Sequence, residues 1–436
     1  MEFKFLKSKK LVVGVALVTL LVVFFSFDEE LNPEIPKLIE SINAEVSTAE
    51  NGMVFLLGVG TNTNKTPYEI GLERIQNYHL RKEPSYVETY DPLEDSNSEM
   101  WLPELEGGED VSNLMCYFLE SECLHLVWTN RSEIPSLIEE HADYLDVVNQ
   151  LIEYETFRPV VVPNVSAPMV FHNNSLFSHK LKLLEIVHFF AIQDYSSAFK
   201  ELTKLIQLHQ NLLAQSPQLI VKVVAIVQYQ ATLEVAAFLL TKTDSSNINV
   251  WEGVETSLTQ FEPSVASQQR QFGVEFVGMV NAIKETTELN GESIDIGPFH
   301  LTQSLAYKPN MTINLLYKTL MGSVNTYEWS NGRIKRIKPK REKGEMSPLQ
   351  ITNYVGSLLV RTAVPRYLDI ESNILELYFR NEVLRTSIEA RKTLDTPTVD
   401  QLGIISPYTG LAAFLENGKL CVEPAADETD DLCFYF

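Results

Sequence analysis

The feature that most constrains this chain is an apolar run near its amino terminus. The run from Leu11 to Phe27 holds no charged residue, and as a helix it would be about 25 Å long, at the short end of what spans a bilayer. Basic residues come before the run, namely Lys4, Lys7, Lys9 and Lys10, and acidic residues come directly after it, namely Asp28, Glu29 and Glu30. This asymmetry predicts a transmembrane helix over 11–27, with residues 1–10 in the cytoplasm.

A cleavable signal peptide is the alternative interpretation of the same run. Cleavage needs small residues just after the apolar core, whereas this junction reads "FFSFDEE" and the nearest alanine downstream is Ala44. The sequence therefore favours an uncleaved signal-anchor, which places nearly all of the protein outside the cytoplasm. In a bacterium, the expected location is the inner membrane with the bulk of the chain in the periplasm.

Charge narrows the range of partners. The 436 residues include 35 basic and 58 acidic side chains, for a net charge of −23. General nucleic-acid binding needs cationic surface, so no nucleic-acid partner is expected. The charge suits a soluble domain whose copies repel one another.

The cysteines form two local pairs, Cys116 with Cys123 and Cys421 with Cys433. Close pairs on the oxidising side of a membrane indicate two small-loop disulfides. Four free thiols or a zinc site are the alternatives, although neither spacing is the C-x2-C typical of zinc ligands.

Residue spacing predicts a mainly α-helical fold, with the transmembrane helix at one end and a small β-hairpin at the other. We expect a short helical or extended stalk, a capped helix and an acidic loop over 28–110, an α-helical periplasmic domain over 111–330, and a helix plus carboxy-terminal hairpin over 346–436. The hairpin signal is Asn417-Gly418 between two short apolar runs.

Two stretches of the predicted helical domain carry specific expectations. Residues 132–157 have apolar positions mainly at three- and four-residue steps, which predicts one helix. Residues 217–242 are apolar enough for a second span, but Lys222, Gln228, Gln230 and Glu234 are spread along them. Since charges near a bilayer centre are costly, a buried helix of the domain is the better interpretation.

The stretch "VFLLGVGTNTNKTPYEIG" (54–71) looks like a phosphate-binding loop. A Walker A motif needs a glycine directly before the Lys-Thr pair, and Asn64 stands there. The same residues make a helix start, with Thr66 as N-cap, Pro67 next and Glu69 completing a capping box. The stretch therefore predicts a capped helix ending near Leu80, and no nucleotide site.

No constellation for catalysis stands out. The eight histidines make no metal-binding motif, a core position is the expected one for a histidine such as His141, and hydrolase motifs are missing. We therefore identify no catalytic residue, no metal ligand and no cofactor. Three charged residues in otherwise apolar helices are candidates for a ligand pocket: Lys222, Glu234 and Glu275. Glu275 shares a polar strip with Gln271 and Gly278, so exposure to solvent also accounts for it.

One strongly cationic segment follows the helical domain, at 331–345. Its basic residues are Arg333, Lys335, Arg336, Lys338, Lys340, Arg341 and Lys343. A solvated linker is the simpler interpretation, and contact with anionic lipid or an acidic partner is the functional one.

Several segments together resemble a family of uncharacterised, inner-membrane-anchored proteins of Gram-negative bacteria: "NGMVFLLGVGTNTNKTPYEIG", "LIEYETFRP", "NLLAQSPQLIVKVVA" and "SPYTGLAAFLENGKL". The resemblance implies a single-span protein with a helical periplasmic domain and carries over no functional residue. The leading hypothesis is a non-enzymatic envelope protein for interaction or assembly. The competing hypothesis is an envelope enzyme or small-ligand binder that uses a pocket between helices.

Overall fold

The structure is a computed structural model that describes residues 28–59, 65–81, 114–164, 166–170, 172–289, 307–322, 324, 327–336, 353–363, 370–394, 397–416, 419–423 and 432–435. The predicted transmembrane helix (11–27) and most of the predicted acidic loop lie outside these residues.

The described residues are mainly helical, as predicted. The helices are α1 (Glu34–Ala44), α2 (Gly52–Gly58), α3 (Pro67–Arg81), α4 (Ser121–Thr129), α5 (Ile134–Glu140), α6 (Ala142–Leu151), α7 (His172–Ala191), α8 (Tyr195–Gln215), α9 (Leu219–Thr241), α10 (Glu252–Thr259), α11 (Gln269–Leu289), α12 (Pro309–Gly322), α13 (Tyr354–Ala363), α14 (Ile370–Thr393) and α15 (Val399–Leu402). The strands are β1 (Tyr327–Ser330), β2 (Arg333–Arg336), β3 (Phe414–Glu416), β4 (Lys419–Val422) and β5 (Leu432–Tyr435).

Helix α9 forms the centre of the main core. Helices α7, α8 and α14 pack against it, and side chains such as Tyr229, Val235 and Phe238 are almost completely buried. Within the described residues, α9 is the one helix long and apolar enough to cross a bilayer, and 72% of its most apolar window is buried inside the fold. The packing therefore agrees with the interpretation of 217–242 as a core helix.

A second core joins the start of the described chain to α11, α12 and α13. Ile35 and Ile42 of α1 are buried against α11, beside apolar residues of α12 and Val360 of α13. The prediction of a stalk over this region is wrong, because α1 has an apolar face that packs into the body of the protein.

The predicted single helix over 132–157 is also wrong. Helix α5 ends at Glu140 and α6 begins at Ala142, with His141 between them at ψ 32°. Leu137 on α5 and Tyr144 on α6 are both buried, so both short helices pack into the core.

The segment 327–336, predicted partly as helix and partly as basic linker, forms an antiparallel hairpin instead. Strands β1 and β2 pair from Tyr327↔Arg336 to Ser330↔Arg333, so the division predicted at residue 330 falls inside this hairpin. Asn331 and Gly332 form its turn at φ 52° and 74°, which is the left-handed geometry that an Asn-Gly pair adopts readily.

The predicted carboxy-terminal hairpin is confirmed and extended. Strands β3 and β4 are antiparallel, with Glu416 opposite Lys419, and β5 adds a third strand on β4. The predicted turn residues Asn417 and Gly418 themselves lie outside the described residues. Buried apolar residues of this sheet pack against Phe379 and Val383 of α14 and form a small separate core.

The predicted capping box at Thr66 is confirmed. The Thr66 backbone N–H donates to Glu69 Oε2 at 2.8 Å, and the Glu69 N–H donates to Thr66 Oγ1 at 3.3 Å. Helix α3 begins at Pro67 and ends at Arg81, one residue beyond the predicted end.

Two glycines of the same stretch let α2 and α3 touch. A Cβ on Gly58 would lie 1.7 Å from the Pro67 carbonyl oxygen, and one on Gly71 would lie 1.9 Å from the Val54 carbonyl oxygen. Both distances are far inside van der Waals contact, so these glycines serve close packing between the two helices.

Candidate functional site

Lys222 is buried at the junction of α9 and α11. Its Nζ donates to the Val265 carbonyl at 2.9 Å and the Ser267 carbonyl at 3.1 Å, and it lies 3.4 Å from Gln271 Oε1. Burial lowers the pKa of Lys222 to about 7, while the nearby Glu371 carboxylate favours the charged form. These hydrogen bonds hold the segment before α11 against α9.

Glu275 lies one turn after Gln271 on α11, near the start of α9. Burial raises the pKa of its carboxyl, and the nearby Leu219 backbone N–H, the first of α9, favours the charged form. Gln218, the N-cap residue of α9, makes no side-chain capping bond. Gln271 of the same strip is 1% exposed. The interpretation of this strip as solvent-facing is therefore wrong.

Glu234 lies at the other end of α9, about 18 Å along the helix axis from Lys222. Arg380 Nη1 of α14 lies 2.5 Å from Glu234 Oε1, and its Nη2 lies 3.0 Å from Glu376 Oε1. The Arg380 guanidinium also lies 4.5 Å from the centre of the Phe434 ring. Burial raises the pKa of Glu234 and the Arg380 charge opposes that shift. This ion pair joins α9, α14 and the carboxy-terminal sheet.

The three candidate pocket residues therefore do not converge on one cavity. A groove of ≈ 460 Å³ does lie near Lys222, between α1 and the start of α11, and it is lined by Glu45, Val265, Ser267 and Arg270. Arg270 Nη2 and Glu45 Oε2 form an ion pair there at 2.6 Å. Lys222 itself is 1% exposed, so its amine is not accessible from the groove. It donates instead to backbone carbonyls.

Sequence reasoning missed a pair of buried histidines. The rings of His179 on α7 and His209 on α8 have centroids 4.9 Å apart and meet edge to face. The Thr232 hydroxyl donates to the Gln228 carbonyl at 2.9 Å and lies 3.0 Å from His179 Nε2. In the tautomer protonated at Nε2, His179 donates to the Thr232 oxygen, and in the other tautomer Nε2 accepts from the hydroxyl.

His209 has a less satisfied environment. Neither ring nitrogen has a hydrogen-bond partner among the described residues. Burial lowers the pKa of His179 to about 3 and holds the pKa of His209 well below its usual range. The pair is therefore neutral in the folded chain. No spacing in the sequence could have found it, because the two residues lie on different helices.

A separate buried hydrogen-bond network lies beside this pair, and its Tyr229 ring has its centroid 5.9 Å from that of His209. The Tyr229 hydroxyl donates to Asn381 Oδ1 at 2.6 Å, and Gln210 Nε2 donates to the Tyr229 oxygen at 3.1 Å. Asn381 Nδ2 in turn donates to the Leu258 carbonyl at 2.6 Å. These bonds connect α8, α9, α10 and α14, so the network fixes the register of the core helices.

Both predicted cysteine pairs lie in disulfide geometry. Cys116 and Cys123 have an S–S distance of 2.07 Å, as do Cys421 and Cys433, whose backbones are direct partners between β4 and β5. Glu416 lies with the second pair in a group of possible metal ligands. Sulfur atoms bonded to each other offer no thiolates, so the oxidised chain presents no thiolate ligands for zinc there.

The cationic segment is described only in part. Arg333 and Lys335 are exposed on β2, and Ile334 between them is buried, with its N–H donating to the Pro407 carbonyl at 2.8 Å. The predicted residues Lys338, Lys340, Arg341 and Lys343 lie outside the described residues.

The junction with the predicted membrane anchor is bound to the body. The backbone N–H groups of Asn310 and Met311 donate to the Asp28 carboxylate at 2.9 and 3.0 Å, so Asp28 caps α12. Asn314, one turn on, donates to Glu29 Oε1 at 2.9 Å and accepts from the Asn32 N–H at 2.9 Å. The five residues that follow the predicted anchor thus lie along α12.

Comparison with known proteins assigns no family. No protein-family model matches the chain, and neither a curated protein nor a solved structure matches it.

Proposed function

We propose that this chain is a single-pass inner-membrane protein whose helical body lies in the periplasm and works by binding another envelope protein. The observation that carries the proposal is the binding of 28–32 along α12. It leaves no free spacer between the predicted anchor and the folded body, so the body would be held at the membrane surface.

The buried charged groups support a binding role over catalysis. Lys222, Glu234 and Glu275 are each occupied in contacts that hold helices together. A general acid or base must reach a substrate. These three side chains do not line one shared cavity in which a substrate could meet them. The two cysteine pairs suit an oxidising compartment.

Integral attachment is tested by alkaline carbonate washing of membranes that carry the tagged full-length chain. The proposal expects the tag to stay with the membranes, and release into the wash would contradict it. Chemical crosslinking of the same membranes is expected to give a discrete adduct of higher mass with another envelope protein.

The interaction test can start at β3, an outer strand of the carboxy-terminal sheet. Phe414 and Leu415 of this strand are exposed, as is Leu411 just before it. Leu415→Glu should reduce the crosslinked adduct, whereas Ile192→Glu, at an equally exposed position after α7, should not. An adduct that is unchanged in Leu415→Glu would exclude this part of β3 as the contact, and adduct loss from both variants would show no preference for β3.

A further inference from the structure

Helix α13 has its apolar face on the outside of the protein. The side that packs inward carries small, polar or single apolar residues: Asn353, Gly356, Ser357 and Val360. The outward side carries the large apolar residues: Tyr354, Val355, Leu358 and Leu359. These four side chains are between 37% and 53% exposed, whereas Ser357 is 2% exposed. A helix on the surface of a protein in water shows the opposite arrangement.

The orientation of α13 is fixed by its contacts with α12. Asn353 Oδ1 accepts from the Lys308 N–H at 2.9 Å, and Asn353 Nδ2 donates to Thr312 Oγ1 at 3.0 Å. A Cβ on Gly356 would lie 1.9 Å from Thr312 Oγ1, so only glycine permits this approach. Rotation that buried the leucines would break both bonds and place bulkier side chains against α12.

The exposed face begins beside the point where the predicted anchor enters the body. Asp28 binds the N–H groups of Asn310 and Met311, and Asn353 binds Lys308 and Thr312. Both contacts fall within the first turn of α12, which rises about 5.4 Å. Asp28 follows directly after the predicted span, so the start of α13 lies within a few residues' reach of the bilayer surface.

We propose that α13 lies in the headgroup region of the membrane, with its outward face against phospholipid. The inference rests on the proposed function, since it takes 11–27 to be the anchor. Apolar residues on one side of a short helix favour the boundary between headgroups and acyl chains, and tyrosine is enriched at that depth. Helix α13 and the anchor together form two contacts with one membrane, which restrict how the body can tilt.

The test places a photoreactive benzophenone side chain at single positions of the full-length chain. The positions are Leu358 on the outward face of α13, Leu17 in the predicted anchor and Ile192 as an exposed control outside α13. Each protein is reconstituted in vesicles of phosphatidylethanolamine and phosphatidylglycerol with radiolabelled acyl chains, and then illuminated. Leu358 and Ile192 are exposed, so both replacements leave the packed core intact.

The expected result is a radiolabelled lipid adduct from 17 and from 358, with none above background from 192. A lipid adduct from 17 alone would overturn the inference and leave the proposed anchor standing. No lipid adduct from either position would overturn both. A protein adduct from 358, including a crosslinked dimer, would show that protein and not lipid covers this face, and would also overturn the inference.

Discussion

Acid should destabilise this protein through its buried histidine pair. His179 and His209 are 4% and 1% exposed, and burial lowers the pKa of both imidazoles in the folded chain. The unfolded chain binds protons at these side chains once the pH falls below about 6.5, whereas the folded chain does not. Protons therefore favour the unfolded state, and stability that is present above pH 6.5 is lost as the pH falls.

The size of the effect follows from the pKa of about 3 for His179. Between pH 6.5 and pH 3, each pH unit removes about 1.4 kcal/mol of unfolding free energy for such a group. At pH 5 the loss from His179 is about 2 kcal/mol. His209 shifts in the same direction, so it adds a loss of the same sign.

The assay is urea unfolding of the full-length chain in detergent at pH 7.5 and pH 5.0, followed by tryptophan fluorescence. His209→Leu removes one imidazole whose ring nitrogens have no partner among the described residues, with little change in volume. The variant should be at least as stable as the parent at pH 7.5, and it should lose less unfolding free energy than the parent between the two pH values. The control is His79→Gln at an exposed position, which should keep the full acid dependence. An equal loss of stability in His209→Leu and the parent would show that His209 is not a source of the acid sensitivity.

Three further changes test other contacts of the fold. Gly71→Ala should cost about 3 kcal/mol or more in unfolding free energy, because the new methyl meets the Val54 carbonyl at 1.9 Å. The control Gly253→Ala, whose new methyl has its nearest neighbour at 3.6 Å, should be neutral or slightly stabilising in the same urea assay. Arg380→Ala should cost about 3 to 5 kcal/mol of unfolding free energy at pH 7.5, because it leaves the buried Glu234 carboxylate without its counter-ion. A cost below about 1 kcal/mol, which is typical of an exposed ion pair, would contradict the burial of this pair. Cys433→Ser should lower stability by about 3 kcal/mol from the entropy of a loop of this length, and an unchanged unfolding midpoint would show that the second disulfide contributes nothing.

Local signals in the sequence were sufficient for local structure. The Thr66 capping box and the Asn417-Gly418 hairpin depend on residues within a few positions of one another, and both predictions were confirmed. The same hairpin signal stands at Asn331-Gly332, where the run of basic residues led to the prediction of a linker. The linker prediction was wrong because it gave the basic residues more weight than the Asn-Gly turn signal, which was present in the sequence.

The contacts that position the candidate sites depend on residues far apart in the chain. Asp28 is 282 residues from Asn310, and Arg380 is 146 residues from Glu234. The periodic spacing of apolar residues reflects local structure only, so it cannot predict pairs this far apart in the chain. A short helix was one of the two alternatives for the predicted stalk, and α1 agrees with it, but the burial of Ile35 and Ile42 against α11 had no local signal.

The central claim is that the folded body lies on the periplasmic side of the membrane to which 11–27 anchors it. The most direct measurement is the activity of alkaline phosphatase fused after Phe436, since this enzyme becomes active only where its own disulfides can form. A matched fusion from which 11–27 has been deleted serves as the control. We expect high activity for the full-length fusion and low activity for the deletion. An inactive but stably expressed full-length fusion would contradict it.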